Sequence, residues 1–284
     1  MKSIEFLKKI INNNGPESCD YNLIDEICAK NPELLKTIKT SELDFLNSTE
    51  SIMGHIFQKP FGYAGDFQII DRIYTKDKSV QYYKWDNYSL ENTAAIAVRN
   101  RKEYFKSMLT GLSKVKKHAK ILDIASGPLR DVYEFLNQNQ NQNFTFQCVD
   151  LDPKSIEYAK NLNIKNLSRI EFINKNILRF QTNEKFDLVW SAGLFDYFSD
   201  KVFVSILHRM KNWLKSDGEI IIGNFNQDNN PSRNFMEIIG EWYLHHRTEE
   251  ELINLAILAG FSRSQINVGR EPENVNLFLH IKAE

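Results

Sequence analysis

The sequence is poor in cysteine and nearly balanced in charge. Its 284 residues include three cysteines, and 36 basic residues stand against 37 acidic ones, for a formal net charge of -1. Cys19, Cys28 and Cys148 form neither a metal-type cluster nor an even set for disulfides, which fits a reducing cytosol. We interpret them as small buried apolar residues. The near-zero charge provides no electrostatic surface for nucleic acid, so no nucleic-acid partner is expected.

Long apolar runs are also missing from the sequence. No uninterrupted apolar segment approaches the roughly 18 residues that a membrane span needs. Lys8 and Lys9 interrupt the apolar residues of segment 1–11, and no small-residue cleavage site follows. This segment therefore predicts a short amphipathic helix and not a signal peptide. We expect a cytoplasmic protein without a membrane span, and the sequence leaves the oligomeric state open.

The turn after residues 120–124 lacks most of a dinucleotide fingerprint. That fingerprint is G-x-G-x-x-G, in which glycines allow a tight turn and close approach of the backbone to a pyrophosphate. Here Ala125 and Arg130 replace the first and last glycines, and Gly127 keeps the second. The turn therefore disfavours NAD. A nucleoside is still expected, because a second strand ends at Asp150, whose carboxylate can accept both hydroxyls of a ribose.

Strands and helices alternate from residue 120 onward. Alternation of this kind is typical of a parallel sheet with helices on both faces. Two final strands are separated by the six residues 269–274, too few for a helical crossover, so we expect them to pair antiparallel. The predicted strands are 120–124, 144–150, 169–174, 186–191, 218–223, 265–268 and 275–281. The predicted helices are 128–137, with Pro128 in first position, 154–162, 200–215 and 251–258, the last opened by a capping box of Thr248 and Glu251.

The first part of the chain shows no such alternation. Residues 1–88 indicate helices separated by turns that contain proline and glycine. A long helix is predicted over residues 90–114, leading into the first strand. We therefore predict two domains, a helical cap at 1–88 that holds the substrate specificity and an α/β domain at 89–284.

Four elements, in order, carry a resemblance to a known family. They are the glycine turn from Asp123 to Leu129, the acidic strand end at Asp150, and the segments 186–197 and 214–224. In these the chain resembles class I S-adenosylmethionine-dependent methyltransferases. The resemblance implies a Rossmann-like, doubly wound, seven-stranded sheet with an antiparallel C-terminal hairpin. It also implies S-adenosylmethionine as cofactor, S-adenosylhomocysteine as product, and no metal.

The resemblance also implies roles for individual residues. The turn residues Ala125, Ser126 and Gly127 would cradle the methionine part of the cofactor, Asp150 the ribose, and Leu151 the adenine. Asn176 stands where the family usually has an aspartate facing the adenine amino group. Arg99 is either a partner of the cofactor's carboxylate or a solvated helix charge. The expected cofactor-binding set is Tyr63, Arg99, Asp123, Ala125, Ser126, Gly127, Asp150, Leu151, Asn176, Ile177, Ser191 and Ala192.

Segment 59–68, Lys-Pro-Phe-Gly-Tyr-Ala-Gly-Asp-Phe-Gln, is the sharpest local pattern outside the α/β region. It predicts either a lid over the cofactor, in which Tyr63 donates a hydrogen bond, or an ordinary loop anchored by Phe61 and Phe67. Together with segments 126–130 and 241–248, it resembles the extracellular-factor methyltransferases associated with 3-hydroxypalmitic acid methyl ester. That resemblance implies O-methylation of a carboxylate. A small-molecule acid or a peptide C-terminus would suit the same residues.

A carboxylate acceptor needs alignment more than a base, because it is already ionised at neutral pH. Donor groups must then orient it. The expected catalytic residues are Tyr63, Arg247 and His246. The expected substrate-binding residues are Asp66, Tyr197, Asn224, Arg233 and Tyr243. His245 and His246 are adjacent and so do not form a metal motif.

Two other functions remain compatible with the sequence. One is methylation of a nitrogen or a hydroxyl group of a small metabolite, which needs a base such as His246 or Asp196. The other is a non-catalytic module that binds the cofactor.

Overall fold

The computed structural model describes residues 2–39 and 43–283, which form two compact units. The N-terminal unit comprises Met1–Arg99 and Asn230–Tyr243, and the α/β unit comprises Asn100–Asn229 and Leu244–Glu284. The segment Asn230–Tyr243 thus packs with the N-terminal unit, although the sequence placed it in the second domain. No helix within the described ranges is long and apolar enough to cross a membrane.

Helices make up the regular structure described in the N-terminal unit. The amphipathic helix predicted at the start of the chain is confirmed, and it buries Leu7 and Ile10. Segment Asn230–Tyr243 contributes one π-helical turn, Phe235–Ile239, and the Phe235 ring packs edge-on against that of Tyr88 at 4.9 Å. The helices are α1 (Lys2–Asn12), α2 (Tyr21–Lys30), α3 (Pro32–Lys39), α4 (Ile52–Gln58), α5 (Phe67–Thr75) and α6 (Tyr83–Glu91), followed by α7 (Thr93–Val115), in which the division between the units falls.

The α/β unit is a seven-stranded sheet, as predicted. Its strand order is β3-β2-β1-β4-β5-β7-β6, and β7 is antiparallel to both of its neighbours. The strands are β1 (His118–Ile124), β2 (Asn143–Asp150), β3 (Ile170–Asn174), β4 (Phe186–Ala192), β5 (Leu214–Phe225), β6 (Ile266–Arg270) and β7 (Asn276–Lys282). The helices between them are α8 (Arg130–Gln138), α9 (Pro153–Leu162), α10 (Asp200–Met210) and α11 (Glu249–Leu258).

Side chains of successive strand residues feed two apolar cores, one on each face of the sheet. Ile121 lies in the core that contains Phe105 of α7 and Phe135 of α8. Leu122, the next residue of β1, lies in the core that contains Phe203 of α10 and other residues of α10 and α11. Each fully buried side chain of this size contributes roughly 1.5–3 kcal/mol. The doubly wound arrangement predicted from the sequence is therefore confirmed.

Several predicted boundaries are wrong by a few residues. Pro128 lies in the turn before α8, which begins only at Arg130 because Leu129 adopts a left-handed conformation. The helix predicted over 200–215 ends at Met210, and β5 already begins at Leu214, which pairs with Phe186 of β4. The long helix predicted from residue 90 is broken at residue 92 and resumes as α7.

Two smaller predictions, the capping box and the burial of the three cysteines, have different outcomes. The capping box is confirmed, because the Thr248 hydroxyl accepts from the Glu251 N–H at 3.1 Å and the Glu251 carboxylate accepts from the Thr248 N–H at 2.7 Å. Cys28 and Cys148 are buried as expected, but Cys19 is exposed, so the interpretation of all three as core residues is wrong for Cys19.

Candidate functional site

The carboxyl ends of β1, β2 and β4 meet at one edge of the α/β unit. The chain runs from β1 to β2 and β3 on one side and then crosses to β4 and β5 on the other. The strand order therefore reverses beside β1. In open α/β sheets, ligands bind outside the carboxyl ends of the strands at this position.

The turn after β1 is built from left-handed backbone. Ala125, Gly127 and Leu129 have φ angles of +55°, +56° and +57°. Ala125 and Leu129 therefore hold a conformation that favours glycine, at a cost of roughly 1–2 kcal/mol each. Apart from Gly127 itself and its two chain neighbours, no described atom lies within 4 Å of the point where a Cβ of Gly127 would stand, so this backbone has open space beside it. The turn is shaped for close approach of a ligand.

Asp150 joins the end of β2 to this turn. Its Oδ2 accepts a hydrogen bond from the Gly127 N–H at 3.0 Å, and its Oδ1 accepts from the Asp152 N–H at 2.9 Å. Burial raises the pKa of Asp150, while these backbone hydrogen bonds act to lower it. Because a carboxylate has about four acceptor sites, two oxygens held in this way can still accept from a ribose.

Apolar and amide groups follow Asp150. Leu151 is 64% exposed and presents an apolar side chain next to it. The Asn174 amide donates to the Asp150 and Leu151 carbonyls at 3.1 and 2.8 Å and so fixes this segment. Asn176 Oδ1 accepts from the Leu178 N–H at 2.8 Å, and Ile177 is buried. The exposed side chain of Leu151 agrees with a flat apolar ligand beside it. The side-chain oxygen of Asn176, in contrast, already accepts a hydrogen bond within its own turn.

Several carboxyl groups lie close together near the turn after β1. Burial raises the pKa of Asp123 well above its usual range, and the charges of Asp131 and Asp150 act in the same direction. Burial also raises the pKa of Asp131, to about 6. An edge at which burial and neighbouring carboxyl groups already oppose ionisation disfavours an anionic ligand such as a pyrophosphate.

Ser191 and Ala192 end β4 on the other side of β1. Ser191 is fully buried, and its hydroxyl donates to the Ile124 carbonyl at 3.0 Å. Its side chain therefore ties β4 to the end of β1. Ala192 is half-buried at the same edge.

Arg247 lies at the centre of a hydrogen-bond network within the fold. Its guanidinium donates to Asn224 Oδ1 at 2.8 Å, to Asp200 Oδ1 at 2.9 and 3.1 Å, and to the carbonyls of Phe195 and Phe198 at 3.2 and 2.5 Å. The Asn224 amide donates to the carbonyls of Phe225 and His245. Both side chains, expected to orient a substrate, hold the loops after β4 and β5.

Other residues of the α/β unit were expected to contact the methyl acceptor or to act as its base, and these residues differ in exposure. His246 is 9% exposed, and its Nδ1 lies 3.2 Å from the Leu244 carbonyl. Tyr197 is 41% exposed in the loop after β4. Asp196, in the same loop, is 2% exposed, and its Oδ1 accepts from the Phe225 N–H at 2.7 Å. Burial raises its pKa to about 6.

The remaining expected residues belong to the N-terminal unit. Asp66 caps α5 through Gln68 and Ile69 N–H groups, and its other oxygen lies 2.7 Å from His55 Nε2. Tyr63 lies half-buried in the turn before this cap. The structure thus gives Asp66 a local role, and Tyr63 as a lid residue stays a prediction.

Two arginines and an exposed tyrosine complete the set in this unit. Arg99 Nη1 donates to the Leu90 carbonyl at 2.6 Å. Arg233 pairs with Glu237 at 2.7 Å. Tyr243 is 63% exposed. Roles for these residues toward cofactor or substrate stay predictions.

Comparison with known proteins identifies the family. The model of a family described as a methyltransferase domain matches residues 115–263, more than half of the 284-residue chain. The chain belongs to this family. It is a class I S-adenosylmethionine-dependent methyltransferase, as the resemblance implied. No curated protein matches the chain.

Solved structures share the fold of the methyltransferase. A possible exported protein from Bordetella parapertussis is 16% identical, with a TM-score of 0.65 over 81% of this chain and 86% of that one. Magnesium protoporphyrin IX methyltransferase from Synechocystis, solved with S-adenosylhomocysteine, is 11% identical, with a TM-score of 0.56 over 82% and 100% of the chains. A candidate O-methyltransferase from Nostoc punctiforme is 17% identical, with a TM-score of 0.55 over 87% and 71%. At these identities the likeness concerns the fold alone.

The residues at the sheet edge fit S-adenosylmethionine. Its sulfonium and ammonium groups are positive, and the raised pKa values of the Asp123, Asp131 and Asp150 carboxyl groups show that this edge disfavours a further negative charge. Open backbone at Gly127 and the exposed apolar surface of Leu151 suit the methionine and adenine parts. Within the described ranges, no group of three or more histidine, cysteine or acidic residues could hold a metal ion.

The structure brings two further residues to this edge that were not expected from the sequence. Arg101 and Asp131 are both buried in the α/β unit, at 6% and 9% exposure. Arg101 had a detectable signal, since it lies four residues after Ala97 and four before Phe105, and this spacing puts it on an apolar helix face. Asp131 had none, because an acidic residue in the first turn of a helix is ordinary.

Proposed function

We propose that this methyltransferase transfers a methyl group to a carboxylate, of a fatty acid or a peptide C-terminus, and so forms a methyl ester. The observation that carries the proposal is the burial of both candidate bases. Asp196 and His246 are 2% and 9% exposed. A base must reach the proton that it removes. A carboxylate acceptor carries no such proton at neutral pH.

The bound cofactor supplies an electrophilic methyl group on a positively charged sulfur. The chain's own residues hold and align the reactants. Asp150 would accept hydrogen bonds from the ribose hydroxyls, the turn at Ala125, Ser126 and Gly127 would support the methionine part, and Leu151 would cover the adenine. A carboxylate acceptor carries no proton at neutral pH, so these residues would have to align it with the methyl group but would not have to remove a proton. Such a reaction depends on alignment and exclusion of water.

The N-terminal unit is the proposed source of substrate specificity. Tyr63 in segment 59–68 would donate a hydrogen bond over the cofactor, and Tyr243 and Arg233 would contact the acid. The similarity of this segment to the extracellular-factor methyltransferases supports a 3-hydroxy fatty acid as acceptor. We place the reaction in the cytoplasm, in keeping with the three free cysteines.

A second candidate function is methylation of a hydroxyl or amino group. The pKa of about 6 at Asp196 favours it, because a general base works best with a pKa near the working pH. In that reaction the rate would fall with acid below about pH 6, and Asp196→Asn would remove the pH dependence. A carboxylate acceptor predicts a flat rate between about pH 6 and 8, because the acceptor stays ionised there.

The type of product decides between these reactions. Purified protein is incubated with methyl-labelled S-adenosylmethionine and, separately, a fatty acid, its 3-hydroxy form and a short peptide with a free C-terminus. Mild alkali is then applied. Release of the label as methanol establishes a methyl ester and supports the proposal. Label that stays on the product identifies nitrogen or ether methylation and contradicts it.

A further inference from the structure

His55 and Asp66 form a buried pair in the N-terminal unit. His55 lies in the last turn of α4, and Asp66 is the residue that caps the start of α5. They are 2% and 0% exposed, and His55 Nε2 lies 2.7 Å from Asp66 Oδ2. A carboxylate only accepts hydrogen bonds, so the Nε2–H of His55 donates this one. The pair therefore ties the end of α4 to the beginning of α5.

The two oxygens of Asp66 have different partners. Oδ1 accepts from the N–H groups of Gln68 and Ile69, each at 2.9 Å, and so caps α5. The cap itself therefore does not need His55. A buried pair adds little net stability, because both groups lose their hydration, and its best-supported use is to fix one geometry. The contact between His55 and Oδ2 thus determines how the Asp66 carboxyl group is turned.

The geometry that the pair fixes is that of the short loop between the two helices, residues 59–66. The loop begins with a β-turn, in which the Gly62 N–H donates to the Lys59 carbonyl at 2.7 Å. Pro60 occupies the second position of this turn, where proline is favoured. Lys59 and Gly62 have φ angles of +51° and +91°. The loop is therefore held by its own turn at one end and by Asp66 at the other.

Tyr63 stands between these two fixed points. The turn comes directly before it, and Ala64, which is 5% exposed, follows it. Tyr63 itself is half-buried. A short loop that is held at both ends leaves a side chain in its middle little freedom. The direction of the Tyr63 side chain thus depends on where Asp66 is held.

We propose that His55 is a positioning residue, which holds Asp66 and with it the loop 59–66 in the shape that lets Tyr63 donate to the cofactor. This inference deepens the proposed function and rests on the role given there to Tyr63, but not on the identity of the methyl acceptor. In this role His55 acts through Tyr63 and does not contact a reactant.

Binding of S-adenosylhomocysteine tests the proposal without an identified acceptor. Dissociation constants are measured by calorimetry for the wild-type protein, Tyr63→Phe, His55→Leu and the double variant. Tyr63→Phe loses one donor, so we expect it to bind about five- to tenfold more weakly. His55→Leu should weaken binding by a similar factor. The double variant should bind no more weakly than either single variant, because both changes remove the same contact.

Two further variants separate positioning from general support of the fold. His55→Gln carries an amide N–H at about the reach of the imidazole Nε2, so it can still donate to Asp66 and should restore most of the affinity. Tyr88→Phe is the structural control, because Tyr88 is 1% exposed in the same unit and donates to Asp25 at 2.7 Å. It removes a buried hydrogen bond outside the loop 59–66, and its affinity should stay within about twofold of the wild type.

Losses that multiply in the double variant, to about thirtyfold or more, would show that His55 and Tyr63 act independently and would overturn the proposal. So would wild-type affinity in His55→Leu, or a His55→Gln protein as weak as His55→Leu. Equal weakening in Tyr88→Phe would reduce His55 to a support of the fold. Wild-type affinity in Tyr63→Phe would overturn the inference together with the role of Tyr63, but it would leave the test for a methyl ester untouched. A product that resists alkali would contradict the carboxylate acceptor and leave the coupling of His55 and Tyr63 intact.

Discussion

Two loops leave the same edge of the sheet, but they are held in different ways. The loop after β1 is held by backbone groups, with Ala125 N–H donating to the Val149 carbonyl at 2.8 Å and Gly127 N–H donating to Asp150. The loop after β4 is held by a buried side chain from a distant segment, since Arg247 donates to the Phe195 and Phe198 carbonyls. The first loop leaves polar backbone open to a ligand, and the second has its carbonyls satisfied. Ligand binding and rigidity are thus divided between them.

The largest effect is expected when the side chain that holds the loop after β4 is replaced. Arg247→Met removes the donors to the buried Asn224 oxygen and to the Phe195 and Phe198 carbonyls, and it also removes the pairing with Asp200, whose side chain is 73% exposed. We expect the free energy of unfolding to fall by about 2–4 kcal/mol, because buried acceptors that lose their partner cost about 1–3 kcal/mol each. Guanidinium unfolding followed by circular dichroism measures it.

The matched control is Arg270→Met, at an arginine that is half exposed and paired with Glu249. It should cost no more than about 1 kcal/mol. Similar small losses in both variants would show that Arg247 does not hold the loop.

The loop after β1 is tested through the ligand contacts expected of Asp150. Asp150→Asn replaces an acceptor-only carboxylate with an amide, which cannot accept from both ribose hydroxyls and the Gly127 N–H. We expect binding of S-adenosylhomocysteine to weaken about a hundredfold, as for loss of two hydrogen bonds to a charged group. Calorimetric titration measures it, with the exposed Glu157→Gln on α9 as control. Equal affinity of Asp150→Asn and the wild type would remove Asp150 from the site.

The pH dependence of stability tests the loop after β4 through its buried residue Asp196. Burial raises its pKa in the folded state to about 6 from a usual value of 3.8, so the folded chain binds more protons than the unfolded one between these values. Stability therefore falls as pH rises through this window and stays level above it. We expect Asp196→Asn to gain about 2 kcal/mol over the wild type between about pH 4 and pH 6.5. Urea unfolding at a series of pH values measures the difference.

Asp217→Asn provides a control of opposite sign for this measurement. Lys116 lowers the pKa of Asp217, so its contribution is present above the usual pKa and is lost as pH falls. A pH profile of Asp196→Asn that runs parallel to that of the wild type would contradict a perturbed carboxyl at Asp196.

The smallest effect concerns backbone conformation in the first loop. Ala125 has a φ of +55°, so Ala125→Gly relieves strain that outweighs the greater freedom of glycine in the unfolded chain. We expect a gain of up to about 1 kcal/mol in stability, measured by thermal unfolding. Ala29→Gly, at an exposed position of α2, should lose a similar amount. A loss in Ala125→Gly as well would mean that the turn stores no strain at this residue.

The same contrast explains which features the sequence could predict. The loop after β1 is held by the end of β2, 23 residues away, but its glycine turn and the acidic end of β2 each form a short pattern that is recognisable in the sequence. The hydrogen-bond network around Arg247 includes Asp200, which lies 47 positions away in the sequence. Such a pairing leaves no local pattern, and the sequence alone predicts Arg247 as a catalytic residue and not as one that holds loops.

Tertiary pairing also decided the elements that were misplaced. Residues 214–215 fit a helix end by local pattern, yet Leu214 pairs with Phe186 and begins β5. Segment Asn230–Tyr243 follows the α/β alternation in sequence but packs with the N-terminal unit. The strands at the centre of the sheet were recognisable from the sequence, because each of them is a short and nearly continuous run of buried residues.

The position of β7 has a consequence for the order in which this protein can fold. β7 lies between β5 and β6, and Phe278, Leu279 and Ile281 are fully buried. A ribosome therefore produces β6 before the strand that joins it to the sheet. Until residue 282 has been synthesised, β5 presents an open edge of unpaired backbone, which is prone to pairing with other chains. Truncation within β7 would leave that edge open permanently, so aggregation during synthesis is the expected fate of C-terminally shortened chains.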